Sequence, residues 1–200
     1  MGNALAINTE IERRFLVDGR GEKPWRNDVD IRQITQYYLD ANDIEFHELA
    51  IDYRGVPMVS ISTEEFQILT KIEHWVSRIR IQNNTVILTM KGIQKGIGTT
   101  ELEWVLSGMP NLSGLEEHPH VEKTRYCVNA GNELVWEVDE FEGVLAGLIL
   151  AEIELEYINQ KFDLPEWIGI ELTGLKNWSN ASLATTLLNA EELKKTLLQQ

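Results

Sequence analysis

Val76-Ser77-Arg78-Ile79-Arg80-Ile81-Gln82-Asn83-Asn84-Thr85-Val86-Ile87-Leu88-Thr89-Met90-Lys91 holds the pattern on which the fold turns. In an extended strand, residues i and i+2 lie on one face about 6–7 Å apart, and residue i+1 faces the other way. Arg78 and Arg80 therefore share a face, with Ile79 and Ile81 behind them. In the second half, Val86, Leu88 and Met90 line one face of a strand that ends at Lys91. Asn83-Asn84 lies between the halves, and asparagine tolerates the positive φ of a tight hairpin turn. The stretch predicts an antiparallel hairpin with charge on one side and an apolar layer on the other.

The same phase recurs along the chain. Glu10, Glu12 and Arg14 share a face, with Ile11, Arg13 and Phe15 opposite. Glu101 and Glu103 oppose Leu102 and Trp104, and Glu137 and Asp139 oppose Trp136 and Val138. Glu152 and Glu154 oppose Ile153 and Leu155, and Lys123 and Arg125 form one more pair. A second hairpin is expected from Tyr126–Val128 and Leu134–Val138 around Asn129-Ala130-Gly131-Asn132. Ser62 with Glu65 ahead of Phe66, Ile68 and Leu69 has the spacing of a capping box, and Ser182–Leu198 reads as a long helix. Residues 41–75 form an extended segment with no recognisable chemical motif.

One isolated Glu-x-Glu usually marks a solvated outer face. Here the pairs sort into acid-only and base-only sets, where a solvated face would mix Thr, Ser, Gln and Lys. Closing the sheet accounts for this by turning the apolar faces outward under helices and loops and the charged faces inward. The expected fold is therefore mainly β (α+β): a closed antiparallel eight-stranded β-barrel with peripheral helices and a C-terminal helix. So many enclosed charges require mutual compensation or a ligand. Bases alone would suit a plain anion and acids alone calcium. Both together suit a metal-bound polyphosphate, with Arg forks and Lys on phosphate oxygens and carboxylates on Mg2+ or Mn2+.

Composition narrows the setting. The 200 residues carry a net charge of −14, which disfavours general attraction to nucleic acid or anionic lipid. The 43% hydrophobic content allows a full core, and no linker divides the chain, so residues 1–200 read as a single domain. The lone Cys127 excludes an internal disulfide and fits a reducing, cytoplasmic setting. No leader or membrane span is read from the sequence. His47, His74, His118 and His120 read as surface histidines, the tryptophans as outer-core packing and Cys127 as packing.

With these segments in order, the chain resembles the CYTH superfamily, the triphosphate tunnel metalloenzymes. Glu10-Ile11-Glu12-Arg13-Arg14 looks like the family's ExExK signature with Arg14 in place of the usual Lys. Arg78-Ile79-Arg80, Leu88-Thr89-Met90-Lys91-Gly92, Glu101-Leu102-Glu103, Glu122-Lys123-Thr124-Arg125-Tyr126, Glu137-Val138-Asp139-Glu140-Phe141 and Ala151-Glu152-Ile153-Glu154 extend the likeness. Pro165-Glu166-Trp167-Ile168-Gly169 and Asn180-Ala181-Ser182-Leu183-Ala184 resemble the tail of the compact bacterial inorganic triphosphatase subgroup. Thr99 departs from that subgroup, which often has Arg there, and Leu175-Lys176-Asn177-Trp178 stands where it has Asp-x-Arg-Tyr.

The resemblance implies a metal-dependent triphosphatase. Glu10, Glu12, Asp139, Glu152 and Glu154 would hold Mg2+ or Mn2+, and Glu10, Glu12, Asp139 and Glu154 would act in catalysis. Arg14, Arg78, Arg80, Lys91, Lys123, Arg125 and Lys176 would bind the small-molecule triphosphate, supported by Glu101, Glu103 and Glu137. Inorganic triphosphate is the leading substrate. A class IV adenylate cyclase, a thiamine or nucleoside triphosphatase, and a catalytically silent triphosphate-binding module stay open beside it. The C-terminal helix is either a homodimer element or a plug for one barrel mouth.

Overall fold

A computed structural model describes residues 11–93, 99–107 and 112–198. In chain order its elements are β1 (Ile11–Val17), β2 (Asp30–Tyr38), β3 (Ile44–His47), β4 (Ala50–Tyr53), β5 (Val56–Ser60), α1 (Thr63–Lys71), β6 (Trp75–Gln82), β7 (Thr85–Ile93), β8 (Thr99–Leu106), β9 (His120–Gly131), β10 (Leu134–Phe141), β11 (Ile149–Leu155), β12 (Ile168–Glu171) and α2 (Asn180–Leu198). Four short strands, β3, β4, β5 and β12, add to the eight expected. The chain forms two compact units, residues 36–120 and residues 10–35 with 121–200.

In the first unit, β6, β7 and β8 pair antiparallel in the order β6-β7-β8. Arg78 faces Thr89, which faces Glu103, and Lys91 faces Glu101. This register puts Ile79, Leu88, Met90 and Trp104 on the opposite face, where they are fully buried. The segment 41–75 covers that apolar face. Ile51 and Tyr53 of β4 and Leu69 of α1 join the same core, and β3, β4 and β5 make their own three-stranded antiparallel sheet. The hairpin turn falls where expected, with Asn83 at φ 52°.

The capping box of α1 is complete. The Glu65 amide donates to Ser62 Oγ, and the Glu65 carboxylate accepts from the Ser62 amide. Ser62→Ala should cost about 1 kcal/mol of unit stability by loss of the cap, measured by urea unfolding. A change near zero would mean that core contacts alone hold the helix.

The second unit orders its strands β12-β1-β11-β10-β9, with the first part of β2 beside β9. Glu12 faces Glu154, Arg14 faces Glu152, Glu152 faces Glu137, and Asp139 faces Arg125. The charged residues thus share one face, and Phe15, Trp136, Val138 and Ile153 bury the other. Aromatic rings pack over that layer: Trp25 lies 5.4 Å from Trp167, Trp136 lies 5.9 Å from Trp167, and Phe162 stands edge-on to Trp136 at 5.6 Å. Glu140 fastens Trp25 in place, accepting from Trp25 Nε1 at 2.9 Å, from Lys23 and from Arg26.

Two expectations need correction. The second hairpin turns later than expected: β9 continues to Gly131, and Gly131, Asn132 and Glu133 take the positive φ angles. His118 is buried against Tyr53 instead of lying on the surface, with Nε2 3.0 Å from the Tyr53 hydroxyl. Cys127 is half-buried on the charged face, opposite Glu137.

Candidate functional site

Each unit carries a charged sheet face built from strand phase and antiparallel register. In the first unit, Arg78 Nη2 donates to Glu101 at 3.2 Å and to Glu103 at 3.3 Å. Arg80 Nη2 reaches Glu103 at 3.0 Å, Thr89 Oγ1 donates to the same carboxylate at 2.8 Å, and Lys91 Nζ lies 3.4 Å from Glu101. Glu101 and Glu103 are thus shared supports for the three bases, and on this face the bases outnumber the acids. Arg78 Nε is buried with no hydrogen-bond partner. Burial opposes the Arg78 charge, but Tyr38, Glu101 and Glu103 outweigh it and hold the guanidinium above its ordinary value. Burial would raise the Glu103 carboxyl, and Arg80, Thr89 and Arg78 together keep it below its usual range.

In the second unit, Arg125 donates from Nε and Nη2 to both oxygens of Asp139, at 2.6 and 2.7 Å, and also to Glu137. Lys123 Nζ donates to Asp139 as well. Lys123 and Asp139 are each 1% exposed, so this is a desolvated ion cluster. Burial would raise the Asp139 carboxyl, but Arg125 and Lys123 take it down to about 2. Burial lowers Lys123 below its ordinary value, with Arg125 adding to the effect and Asp139 opposing it. Asp139, expected as a metal ligand, is placed as the counter-ion of two bases, both oxygens engaged.

Along β1 and β11, Arg14 donates from Nε to Glu152 at 2.5 Å, from Nη2 to Glu12 at 2.6 Å and from Nη1 to the Trp178 carbonyl at 3.2 Å. Burial would raise Glu152, and Arg14, Lys123 and Arg125 lower it overall. Glu12 and Glu154 are direct cross-strand partners, and like charges so placed repel unless a cation lies between them. Their hard oxygen donors fit Mg2+ or Mn2+. Among the described residues no group of three His, Cys, Asp or Glu side chains is preassembled to hold a metal ion. Glu10, the remaining expected carboxylate of β1, lies outside the described residues. Lys176 is exposed on the short turn Lys176–Trp178.

Sequence reasoning missed β2, which carries Tyr38 and Gln36. The Tyr38 hydroxyl donates to Gln36 at 3.3 Å, and Tyr38 acts electrostatically on Arg78, which makes it a neighbour of the first unit's bases. Its local signal was weak because Asp30-Ile31-Arg32-Gln33-Ile34-Thr35-Gln36 interleaves polar residues on both faces.

Antiparallel sheets with one face of shared arginine, lysine and carboxylate groups and an aromatic-aliphatic layer behind define a β-protein built to handle a charged ligand on its sheet faces. The chain belongs to the CYTH family, whose domain model matches residues 71–186. An inorganic triphosphatase of Acetivibrio thermocellus is 42% identical over 109 residues, which span 53% of this chain and 69% of the relative. An inorganic triphosphatase of Nitrosomonas europaea is 32% identical over 114 residues, spanning 55% of this chain and 75% of the relative. The crystal structure of the inorganic triphosphatase NE1496 is similar in fold, with a TM-score of 0.54 and 25% identity, covering 88% of this chain and 95% of that one. Among the described residues no helix is long and apolar enough to cross a membrane.

Proposed function

We propose that the chain hydrolyses inorganic triphosphate to pyrophosphate and phosphate. The observation that carries this reading is the half-buried set Arg78, Arg80 and Lys91, in excess over Glu101 and Glu103, with Arg78 Nε buried and unpartnered. Such a donor costs stability unless an anion meets it, and a planar guanidinium suits phosphate oxygens. The two inorganic triphosphatases at 42% and 32% identity support the choice of substrate.

Arg78, Arg80 and Lys91 would bind and orient the phosphate chain, with Arg125 and Lys123 adding positive charge held in place by Asp139. Water attacks the terminal phosphorus in line, the bond to the bridging oxygen breaks, and pyrophosphate leaves. Little covalent chemistry falls to the protein, so positioning and charge neutralisation dominate. Glu12 and Glu154, together with Glu10 and Glu152, would hold the metal. A bound Mg2+ or Mn2+ would polarise phosphoryl oxygens and offset their charge. The reading includes the closed eight-stranded barrel expected from the sequence. Cytoplasmic residence belongs to the same proposal, supported by the single cysteine.

The test compares kcat/KM for inorganic triphosphate, ATP, GTP and thiamine triphosphate at fixed Mg2+, with analysis for phosphate, pyrophosphate and cyclic nucleotide. Triphosphate should give the highest value, excess chelator should abolish turnover, and Mg2+ or Mn2+ should restore it. A higher value for an organic triphosphate, cyclic AMP as the main product, or binding without turnover would replace the substrate assignment. Undiminished activity in chelator would remove the metal.

A further inference from the structure

Arg14, like Arg125, has all three guanidinium nitrogens engaged by protein, but one of its acceptors is a main-chain carbonyl. Nε, Nη1 and Nη2 each meet a protein acceptor, namely Glu152, the Trp178 carbonyl and Glu12, and the side chain is 13% exposed. Arg78, by contrast, keeps a buried Nε with no partner. Three of its five N–H donors are taken by protein, and a group that grips two carboxylates fixes where they point.

The third acceptor is held by a chain of turns that begins at Arg14 itself. The Leu172 amide donates to the Arg14 carbonyl at 2.7 Å, and the Arg14 amide donates to Thr173 Oγ1 at 3.0 Å. The Leu175 amide then bonds the Leu172 carbonyl and the Trp178 amide bonds the Leu175 carbonyl, each at 3.0 Å. Gly174, at φ 78°, lets the chain reverse between them. The result returns the Trp178 carbonyl to the guanidinium. Lysine, with one nitrogen, could not span three acceptors in these directions, so Arg14 and the tail turn form one fitted pair.

We infer that Arg14 is a positioning residue for the metal-binding carboxylates Glu12 and Glu152, and that the turn 172–178 sets its geometry. The inference rests on the metal-dependent reading above. It assigns Arg14 an effect on cation affinity, in place of the phosphate contact expected from the sequence. Residues that orient ligating groups typically change metal affinity by about 10–100-fold when replaced.

The experiment measures Mn2+ binding to the purified chain directly, by calorimetry, for the parent, Arg14→Lys and Gly174→Ala, with melting curves as a check on folding. Arg14→Lys keeps the charge and loses the fork. Gly174→Ala meets no neighbouring atom but strains a backbone that favours glycine, so it disturbs only the turn. Arg14→Lys should weaken Mn2+ binding about 10-fold or more, and Gly174→Ala should shift it the same way by a smaller factor. The KM for triphosphate at saturating Mn2+ should change less than about threefold. Unchanged Mn2+ binding with a KM raised about tenfold would show that Arg14 grips phosphate, overturning the inference and leaving the proposed function intact. A parent chain that binds no Mn2+ would overturn both. If Arg14→Lys does not fold, Gly174→Ala decides: Mn2+ affinity equal to the parent's overturns the role of the turn.

Discussion

Arg78→Ala should lower kcat/KM for triphosphate by about 2–5 kcal/mol of transition-state stabilisation, roughly 30- to 5,000-fold, while the melting temperature changes little. The loss follows from the surroundings of the guanidinium. It is largely buried, shares Glu101 and Glu103 with Arg80 and Lys91, and keeps its Nε unpartnered. A contact with a phosphate oxygen there would form in a poorly hydrated site, where charge pairs are worth more than at a surface. Removing the side chain also relieves repulsion among three clustered bases, which offsets the lost ion pairs in the resting protein. Steady-state kinetics and a melting curve on the same preparation separate the two effects. If the variant unfolds while its folded fraction keeps full specific activity, Arg78 is an internal structural ion pair and the phosphate assignment fails.

Asp139→Ala should destabilise the second unit by about 3–5 kcal/mol, because Lys123 and Arg125 would stay buried without their shared counter-ion. Breaking one partner of a desolvated cluster costs more than the cluster contributes as a whole, so Lys123→Met combined with Asp139→Leu should be milder than the single change. The pH dependence has a definite sign. The Asp139 carboxyl sits at about 2 in the fold, against 3.8 for the free group. The folded state therefore binds fewer protons than the unfolded chain in that interval. Its stabilisation is complete above the unfolded value and fades as pH drops from about 4 towards 2. Urea unfolding of parent and variant from pH 7 to pH 3 checks both statements. Equal stability at pH 7 would show that water reaches the cluster and screens it.

Much of this arrangement was legible in the sequence because it depends on strand phase alone. Arg78 and Arg80 had to share a face once their stretch was extended, and so did Glu152 and Glu154, whatever the strands paired with. The Ser62–Glu65 box was equally local. Features that need a distant partner were not legible. His118 is buried because Tyr53 and Asp43, from the segment without motifs, close around it. Glu140 anchors Trp25 through a contact spanning 115 positions. Asp139 could be placed on the charged face, but only the register with Arg125 shows that its oxygens are already used. Nor could any pattern of side chains reveal that Arg14 ends on a main-chain carbonyl of the tail.

The three indoles of Trp25, Trp167 and Trp136 are held in fixed, non-parallel contact, with Phe15 and Phe162 edge-on to Trp136. Chromophores this close and this rigid share their excited states, and their mutual tilt makes that sharing chiral. The second unit therefore carries a built-in optical signature in the near ultraviolet, separate from Trp75 and Trp104 of the first unit. Loss of its aromatic layer can be followed by light alone, with no label attached to the charged face it supports.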